Sequence, residues 1–390
     1  MNIIRIVPVL DFGGVEQRIV HTVAGFRDFT SNSLTVLVLG KEGKVSEELM
    51  RAGVQVYHFQ ERIKIPNIRL IVKLYRVIRR IRPDLVHTSA SEANFHGLIA
   101  AKLAGVPICI GEEIGFPNHD WKWQKLFKLV YGLADRVIAI SNSVKTRIVA
   151  LGEVEEAKVA VVNNPVELPA SVSGNDAGGS GKVAGASVAA TDGLGMTGIS
   201  CRAENSDQDF SKEFVFITVC RLVPIKNLDT LIRVFSELVG ENHGFEPRLW
   251  IVGDGVERDR LESLCTELSL RDRVVFWGFQ SQVHSFFTQA DCFVLPSFSE
   301  GFSISLVEAM LSSLPSIVTN QGGPAEIVEN GVTGYLIDPG NPGEIKEKMV
   351  EVMVTPGWER AIMGERAKQS GKKYSVENYI TRLQAVYNLH

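Results

Sequence analysis

The sequence lacks any apolar run of about 18 residues or more, the length needed to span a bilayer, so membrane contact is expected to be peripheral at most. Its first residues, Met1-Asn2-Ile3-Ile4-Arg5-Ile6-Val7, pass straight into an apolar strand. They show no basic leader, long apolar region or small-residue cleavage site, so no secretory signal is expected and a cytoplasmic location is. An excess of positive charge is missing too. Lys and Arg total 41 against 45 Asp and Glu, a formal net charge of −4, which gives no global case for nucleic acid. The five cysteines, Cys109, Cys201, Cys220, Cys265 and Cys292, show no metal-ligand spacing, and their odd number speaks against a disulfide framework. They read as inert thiols of a reducing compartment. A G-x-G-x-x-G dinucleotide fingerprint is absent from the glycine pair that follows the first strand.

What is present is a repeated alternation of short apolar runs and helix-length amphipathic stretches. Runs at 3–9, 34–40, 54–59, 84–88, 106–111, 136–141 and 159–163 are rich in Val and Ile and mostly lack polar alternation, as expected of strands covered on both faces. Helices are predicted between them, over 16–27, 68–82, 92–104 and 122–134. The rhythm restarts at Phe214, with runs at 214–219, 248–252, 273–277, 291–295, 315–319 and 334–337. With 390 residues there is room for two cores. The expectation is two doubly wound α/β domains facing across a cleft, with ligands at the carboxyl ends of the strands. The domain limits are 1–169, completed by a terminal helix over 376–390, and 213–375. Between them, 170–212 is rich in Gly, Ser and Ala, has no aromatic residue before Phe210, and reads as a flexible insert. It contains Asp207-Gln-Asp209, a short acidic pattern that is discounted as a metal site in such a segment.

Four motifs fall at predicted carboxyl ends of strands. Glu300-Gly301-Phe302-Ser303-Ile304-Ser305-Leu306-Val307-Glu308 places one carboxylate in a loop and a second one turn into the next helix. The amides of 301–305 would open that helix and attract phosphate. The bland alternative makes Glu308 the partner of Ser305 in a capping box. Arg221-Leu222-Val223-Pro224-Ile225-Lys226 offers a fork and a point charge to a diphosphate, or two solvated cations. Gly13 and Gly14 allow close backbone approach to a ligand, or form a plain turn. Gly253 and Asp254 read as a tight turn with contacts to the cleft wall.

Taken together the four resemble the retaining GT-B-fold glycosyltransferases of family 4 over nearly the whole chain outside 170–212. Glu300 and Glu308 match the family's E-x7-E signature, Arg221 and Lys226 its R-x4-K pair, and Gly13 and Gly14 its glycine loop. The run 315–328 resembles the segment after the E-x7-E helix, and Tyr374-Ser-Val-Glu-Asn-Tyr the helix that returns to the first domain. The resemblance implies that Arg221 and Lys226 neutralise a nucleotide diphosphate and stabilise it as leaving group. It implies that Glu300 holds sugar hydroxyls, Glu308 the ribose, and the Gly301 and Phe302 amides the sugar or phosphate. Gly13, Gly14, Gly253 and Asp254 complete the donor side. No metal or other cofactor is then required. The implied activity moves a hexose-type sugar, UDP-linked by preference, to a saccharide or lipid-linked acceptor in cell-surface polysaccharide synthesis.

Departures concern the acceptor side. Many members carry a His where this chain has Gly111-Glu112-Glu113, so Glu113 is a candidate replacement and His119 a candidate to swing in from the loop, with His87 and His96 behind them. Cys220 and Asn227 stand where the family usually has Gly. Two other activities stay open on the sequence: a sugar-nucleotide epimerase, and a catalytically silent scaffold in a polysaccharide assembly complex. For partners, 69–82 carries six cations and no acid, with Arg69, Lys73, Arg76 and Arg80 on one face. It reads first as an amphipathic helix packed on the sheet, and second as a surface for anionic lipid on the inner face of a plasma membrane. Trp121-Lys-Trp-Gln-Lys-Leu-Phe-Lys-Leu is a second stretch of that kind.

Overall fold

The apolar runs become parallel strands, and polar caps start many of the helices between them. A computed structural model describes residues 1–10, 14–29, 32–167, 212–241 and 243–388. All but the last residue of the expected insert, with Asp207 and Asp209, lies outside the described residues, as does Gly13.

The first domain runs β1 (Asn2–Val7), α1 (Gly14–Phe29), β2 (Ser33–Val38), α2 (Lys44–Arg51), β3 (Gln55–His58), α3 (Ile68–Ile81), β4 (Leu85–Ser89), α4 (Ser91–Ala104), β5 (Ile108–Glu113), α5 (Trp121–Gly132), β6 (Arg136–Ala139), α6 (Asn142–Ala150) and β7 (Val159–Val161). Its sheet is parallel in the order β3-β2-β1-β4-β5-β6-β7. The second runs β8 (Lys212–Val219), α7 (Leu228–Val239), β9 (Phe245–Val252), α8 (Arg258–Glu267), β10 (Val274–Gly278), α9 (His284–Phe287), β11 (Cys292–Leu295), α10 (Ile304–Leu311), β12 (Ser316–Thr319), α11 (Gly323–Ile327), β13 (Tyr335–Ile337), α12 (Pro342–Val354), α13 (Gly357–Gly371) and α14 (Val376–Tyr387). Its parallel sheet has the order β10-β9-β8-β11-β12-β13. Each order reverses once, between β1 and β4 and between β8 and β11. Such switch points open a crevice at the carboxyl edge, where this architecture binds ligands.

The expected helix over 376–390 is α14, and it does return to the first domain. Phe26 of α1 meets Tyr387 edge-on at 6.1 Å, Thr22 Oγ1 lies 2.8 Å from the Tyr379 hydroxyl, and the Arg18 guanidinium sits 4.9 Å over the Tyr379 ring. A Cβ on Gly25 would come within 2.4 Å of Ile380, so the two helices touch at a point only glycine permits.

A charged network holds this seam together. The Glu112 carboxylate, fully buried, takes Arg18 at 2.5 Å and Arg5 at 3.1 Å, and Arg5 also reaches Ser89 at 2.8 Å and His87 at 2.8 Å. Burial alone would raise the Glu112 carboxyl, but Arg18, His87 and Arg5 hold it well below the usual carboxylate range. Burial, reinforced by Arg5, pushes the His87 imidazole down to about 3, so His87 stays neutral. Arg18 also donates to Asn164 Oδ1 at 2.7 Å and the Val162 carbonyl at 3.1 Å, which ties α1 to the segment that leaves the first domain.

Candidate functional site

The loops after β8 and β11, the two strands at the switch point, carry the principal charges. After β8 the chain passes Cys220 and Arg221 into a short 3-10 turn, Pro224–Lys226, and reaches Asn227 at φ 57°. That left-handed conformation suits Gly best and Asn next, so Asn227 is compatible with a position where the resemblance implied Gly. Its Nδ2 donates to the Pro339 carbonyl at 2.9 Å. The Phe298 amide donates to the Ile225 carbonyl at 2.9 Å and locks the β11 loop to the β8 loop.

This lock brings Lys226 and Glu300 together as an ion pair, both side chains largely buried. Ser297 Oγ adds a longer contact to Glu300 at 3.4 Å. Sequence reasoning gave Lys226 to phosphate and Glu300 to sugar hydroxyls, and did not foresee that they neutralise one another. Arg221 is exposed and its side chain makes no hydrogen bond or ion pair with the described residues, so its guanidinium is available to an anion.

The wall beside them is the turn after β9. Leu222 N donates to the Asp254 carbonyl at 2.9 Å and Glu257 N to the Leu222 carbonyl at 3.0 Å. Gly253 sits at φ 133°, and a Cβ there would lie 1.9 Å from the Cys220 carbonyl oxygen. Asp254 accepts from Gly255 N at 2.7 Å and pairs with Arg258 at 3.4 Å, as a turn residue does.

Glu308 lies inside α10, but not as a cap partner. The N-cap is Ser303, whose Oγ accepts from Leu306 N at 3.3 Å, and Glu308 is beyond reach of the cap amide. The capping-box alternative is thereby overturned. The helix begins at Ile304, so Gly301 and Phe302 belong to the loop before it rather than to its first turn. The Glu308 carboxyl has no hydrogen-bond or ionic partner among the described residues. Burial, with a contribution from the Glu167 carboxylate, pushes it up to about 7.

The carboxyl edges of the two sheets meet at the glycines. A Cβ on Gly301 would touch Ile140, Gly115 and the Ile114 carbonyl at 3.2–3.4 Å, and one on Gly322 would touch the Phe116 ring at 3.0 Å. Gly14 opens α1 as its first residue, at the carboxyl end of β1.

The acceptor-side expectations fare differently. Glu113 is buried, accepts from the Tyr131 hydroxyl at 2.9 Å and the Ile114 amide at 3.0 Å, and is pushed up to about 7 by burial. It immediately precedes the Ile114–Gly115 backbone that touches Gly301. His119 does not swing into the cleft. It stacks on Phe127 at 4.6 Å and Trp123 at 6.0 Å and holds Glu153 at 2.6 Å, so it fixes α5. His96 meets the Asn67 amide and the Glu92 carbonyl, and His87 is consumed by the buried network. Two partnerships were missed altogether: Arg18 on Glu112, and Glu326 of α11 on Asn142 and Ser143 of α6.

Comparison with known proteins decides the lineage. Residues 202–370 match the model of glycosyl transferases group 1, and residues 12–169 that of glycosyltransferase family 4. The chain belongs to the family 4, group 1 glycosyltransferases. This glycosyltransferase is 29% identical over 283 residues, 70% of its length and 67% of the relative's, to the UDP-Gal:alpha-D-GlcNAc-diphosphoundecaprenol alpha-1,3-galactosyltransferase of Escherichia coli. It is 24% identical over 368 residues, covering 91% and 90%, to the capsular polysaccharide biosynthesis glycosyltransferase CapM of Staphylococcus aureus. In three dimensions it superposes on Anabaena Alr3699/HepE, solved in complex with UDP, with a TM-score of 0.77 at 20% identity and 99% coverage of both chains. The described residues therefore share the GT-B fold of that neighbour.

Proposed function

We propose that this glycosyltransferase moves a hexose from a UDP-sugar, with retention of anomeric configuration, to a saccharide or lipid-linked acceptor in cell-surface polysaccharide synthesis. The observation that carries the reading is the Lys226–Glu300 pair, made by the loops that leave the two switch-point strands, with the unpaired Arg221 side chain on the first loop and the unpartnered Glu308 carboxyl on the helix after the second. Solvated surface charges would not be gathered by two crossing loops onto one carboxyl edge. UDP is favoured because the Anabaena neighbour was solved with UDP and with UDP-glucose. The acceptor class is favoured by the Escherichia coli relative, whose name gives a diphosphoundecaprenol-linked sugar.

The residues divide the work as follows. Arg221 and Lys226 hold the diphosphate and take up the charge that develops as it leaves. Glu300 exchanges part of its bond to Lys226 for sugar hydroxyls, with the amides of Gly301 and Phe302 beside it. Glu308 accepts from the ribose hydroxyls. Gly13, Gly14 and Gly253 let backbone approach the donor, and Asp254 shapes the Gly253 turn. The acceptor hydroxyl attacks the anomeric carbon on the face the diphosphate leaves, and its proton passes to the departing phosphate oxygen. Glu113 lines the acceptor side. The two cations take the role a divalent metal plays elsewhere, so chelators are expected to leave transfer intact.

Membrane contact is part of the proposal. No helix among the described residues is long and apolar enough to cross a bilayer. On α3, Leu70, Ile71, Leu74 and Ile78 pack inward, while Arg69, Lys73, Arg76, Arg79 and Arg80 stay exposed. On α5, Trp121 is 61% and Leu129 72% exposed, with Lys122 and Lys125 at 5.5 and 5.0 Å from the Trp121 ring. Cations beside exposed aromatic and aliphatic groups suit an anionic lipid surface. Flotation with anionic liposomes at low salt checks this; protein left at the bottom of the gradient refutes it.

Calorimetry of UDP, GDP and ADP with the wild type and Lys226→Ala, without added metal, tests the donor site. UDP binding weakened in the variant is expected. A folded protein that binds none of the three sinks the reading.

A further inference from the structure

We infer that Glu326 is a positioning residue that couples contact between the two domains to the placement of Glu300. The inference rests on the reading of Glu300 as the group that holds the donor sugar.

Glu326 belongs to the second domain, yet among the described residues all four hydrogen bonds to its carboxylate come from the first. Its Oε2 accepts from Asn142 N at 2.9 Å and Asn142 Nδ2 at 3.0 Å. Its Oε1 accepts from Ser143 N at 2.5 Å and from the Ser143 hydroxyl. The donors form the N-terminus of α6. Ser141 caps that helix through Val144 N at 3.1 Å, which leaves the Asn142 and Ser143 amides without an intrahelical partner. A carboxylate there satisfies both amides and sits at the favourable end of the helix dipole.

The other end of the connection is the donor loop. Gly323 N, three residues before Glu326, donates to the Glu300 carbonyl at 2.8 Å. A Cβ on Gly322 would lie 2.3 Å from that carbonyl oxygen, and one on Gly323 2.5 Å from the Gly301 carbonyl oxygen. Backbone touches backbone with no side chain between, so there is no slack between α11 and Glu300–Gly301. When Glu326 engages α6, the Glu300 loop is pressed against Ile114, Gly115 and Ile140 of the first domain. When it disengages, that support goes.

The test compares the wild type with Glu326→Gln, which keeps the shape but turns an amide against four donors, and with Glu326→Asp, which keeps the charge. Four quantities are read: kcat and the KM for UDP-sugar at saturating acceptor, hydrogen exchange of the peptide over 140–146, and Tm. For Glu326→Gln, kcat is expected to fall about tenfold or more, since charge-assisted bonds are the strong ones. KM for the donor should move less than about threefold, because the groups that touch the nucleotide are intact. Exchange over 140–146 should rise, with Tm within about 2 °C of wild type. Glu326→Asp should recover part of kcat. A kcat within about twofold of wild type overturns the inference, as does unchanged exchange over 140–146, or a loss of kcat accompanied by a large fall in Tm. If the wild type binds no nucleotide, the donor reading fails, while the exchange result still decides whether Glu326 holds the domains in contact.

Discussion

The protonation of Glu308 gives the sharpest quantitative prediction. Its carboxyl has no partner among the described residues, and burial, with Glu167 nearby, pushes it up to about 7. If the ribose hydroxyls are bound by the carboxylate, only the ionised form binds well. At pH 6 about a tenth of the protein is then ionised, and at pH 8 about nine tenths, from the ordinary titration law around that value. Affinity for a UDP-sugar should therefore rise about tenfold between pH 6 and pH 8. A sugar nucleotide is the right probe because it lacks the terminal phosphate ionisation of free UDP in this range. Binding at pH 7 should release about half a proton, measurable by calorimetry in buffers of different ionisation enthalpy. Glu308→Gln should bind more weakly at pH 8 and show neither the slope nor the release. A flat profile with no proton release in the wild type refutes the assignment of the ribose to Glu308. The same shift makes a stability prediction. A carboxyl raised in the folded state binds its proton there while the unfolded chain has lost it. Its favourable contribution is complete below the unfolded value of about 4.5 and is lost as pH rises to about 7, so stability should fall across that window. Glu113, also raised to about 7 by burial, should add to this fall, and Glu308→Gln should remove only its own share.

Other perturbations follow from single contacts. Arg221→Glu should weaken UDP binding by about a hundredfold or more, since a carboxylate would face the diphosphate, while thermal unfolding shows the fold retained. Glu112→Gln removes the buried anion shared by Arg5 and Arg18 and should cost about 3–5 kcal/mol, a drop in Tm on the order of 10 °C by calorimetry. His119→Ala should leave kcat within about threefold, yet lower stability by about 1–3 kcal/mol, because the Glu153 carboxyl loses its hydrogen-bonded partner. A large loss of kcat with unchanged stability would restore His119 to the site.

The fold was legible because parallel strands buried on both faces leave dense Val and Ile runs, and the helices between them keep a regular apolar stripe. The expected helices over 68–82 and 92–104 differ from α3 and α4 by a single residue at one end. The position of the charged loops at strand ends was legible for a different reason: their motif residues sit within a few positions of a strand end, so local reading suffices. Pairings across the switch point were not legible. Lys226 and Glu300 are 74 residues apart, and only the reversal of strand order between β8 and β11 makes them neighbours.

Glu112 and Glu113 mark the boundary between what sequence can and cannot carry. Adjacent residues in a strand point to opposite faces, so a doublet in β5 had to send one carboxyl each way. Alternation alone therefore excluded a shared role. It did not say which face held Arg5 of β1 and Arg18 of α1, since that depends on where α14 returns, and α14 is more than 260 residues further on. The outcome follows from electrostatics. The face with two arginines takes an ionised Glu112 and spends it on holding α1, α14 and the departing segment together. On the face with Tyr131, burial, with a smaller contribution from the second acid Glu153, raises Glu113 to about 7. Only Glu113 of the two is left able to gain or lose a proton near neutrality, one residue from the backbone that meets Gly301. If that proton matters to acceptor binding, Glu113→Gln should abolish the pH dependence of acceptor KM between pH 6 and pH 8 while leaving UDP-sugar affinity unchanged. An acceptor KM whose pH profile is the same in Glu113→Gln as in the wild type would confine Glu113 to packing against Tyr131.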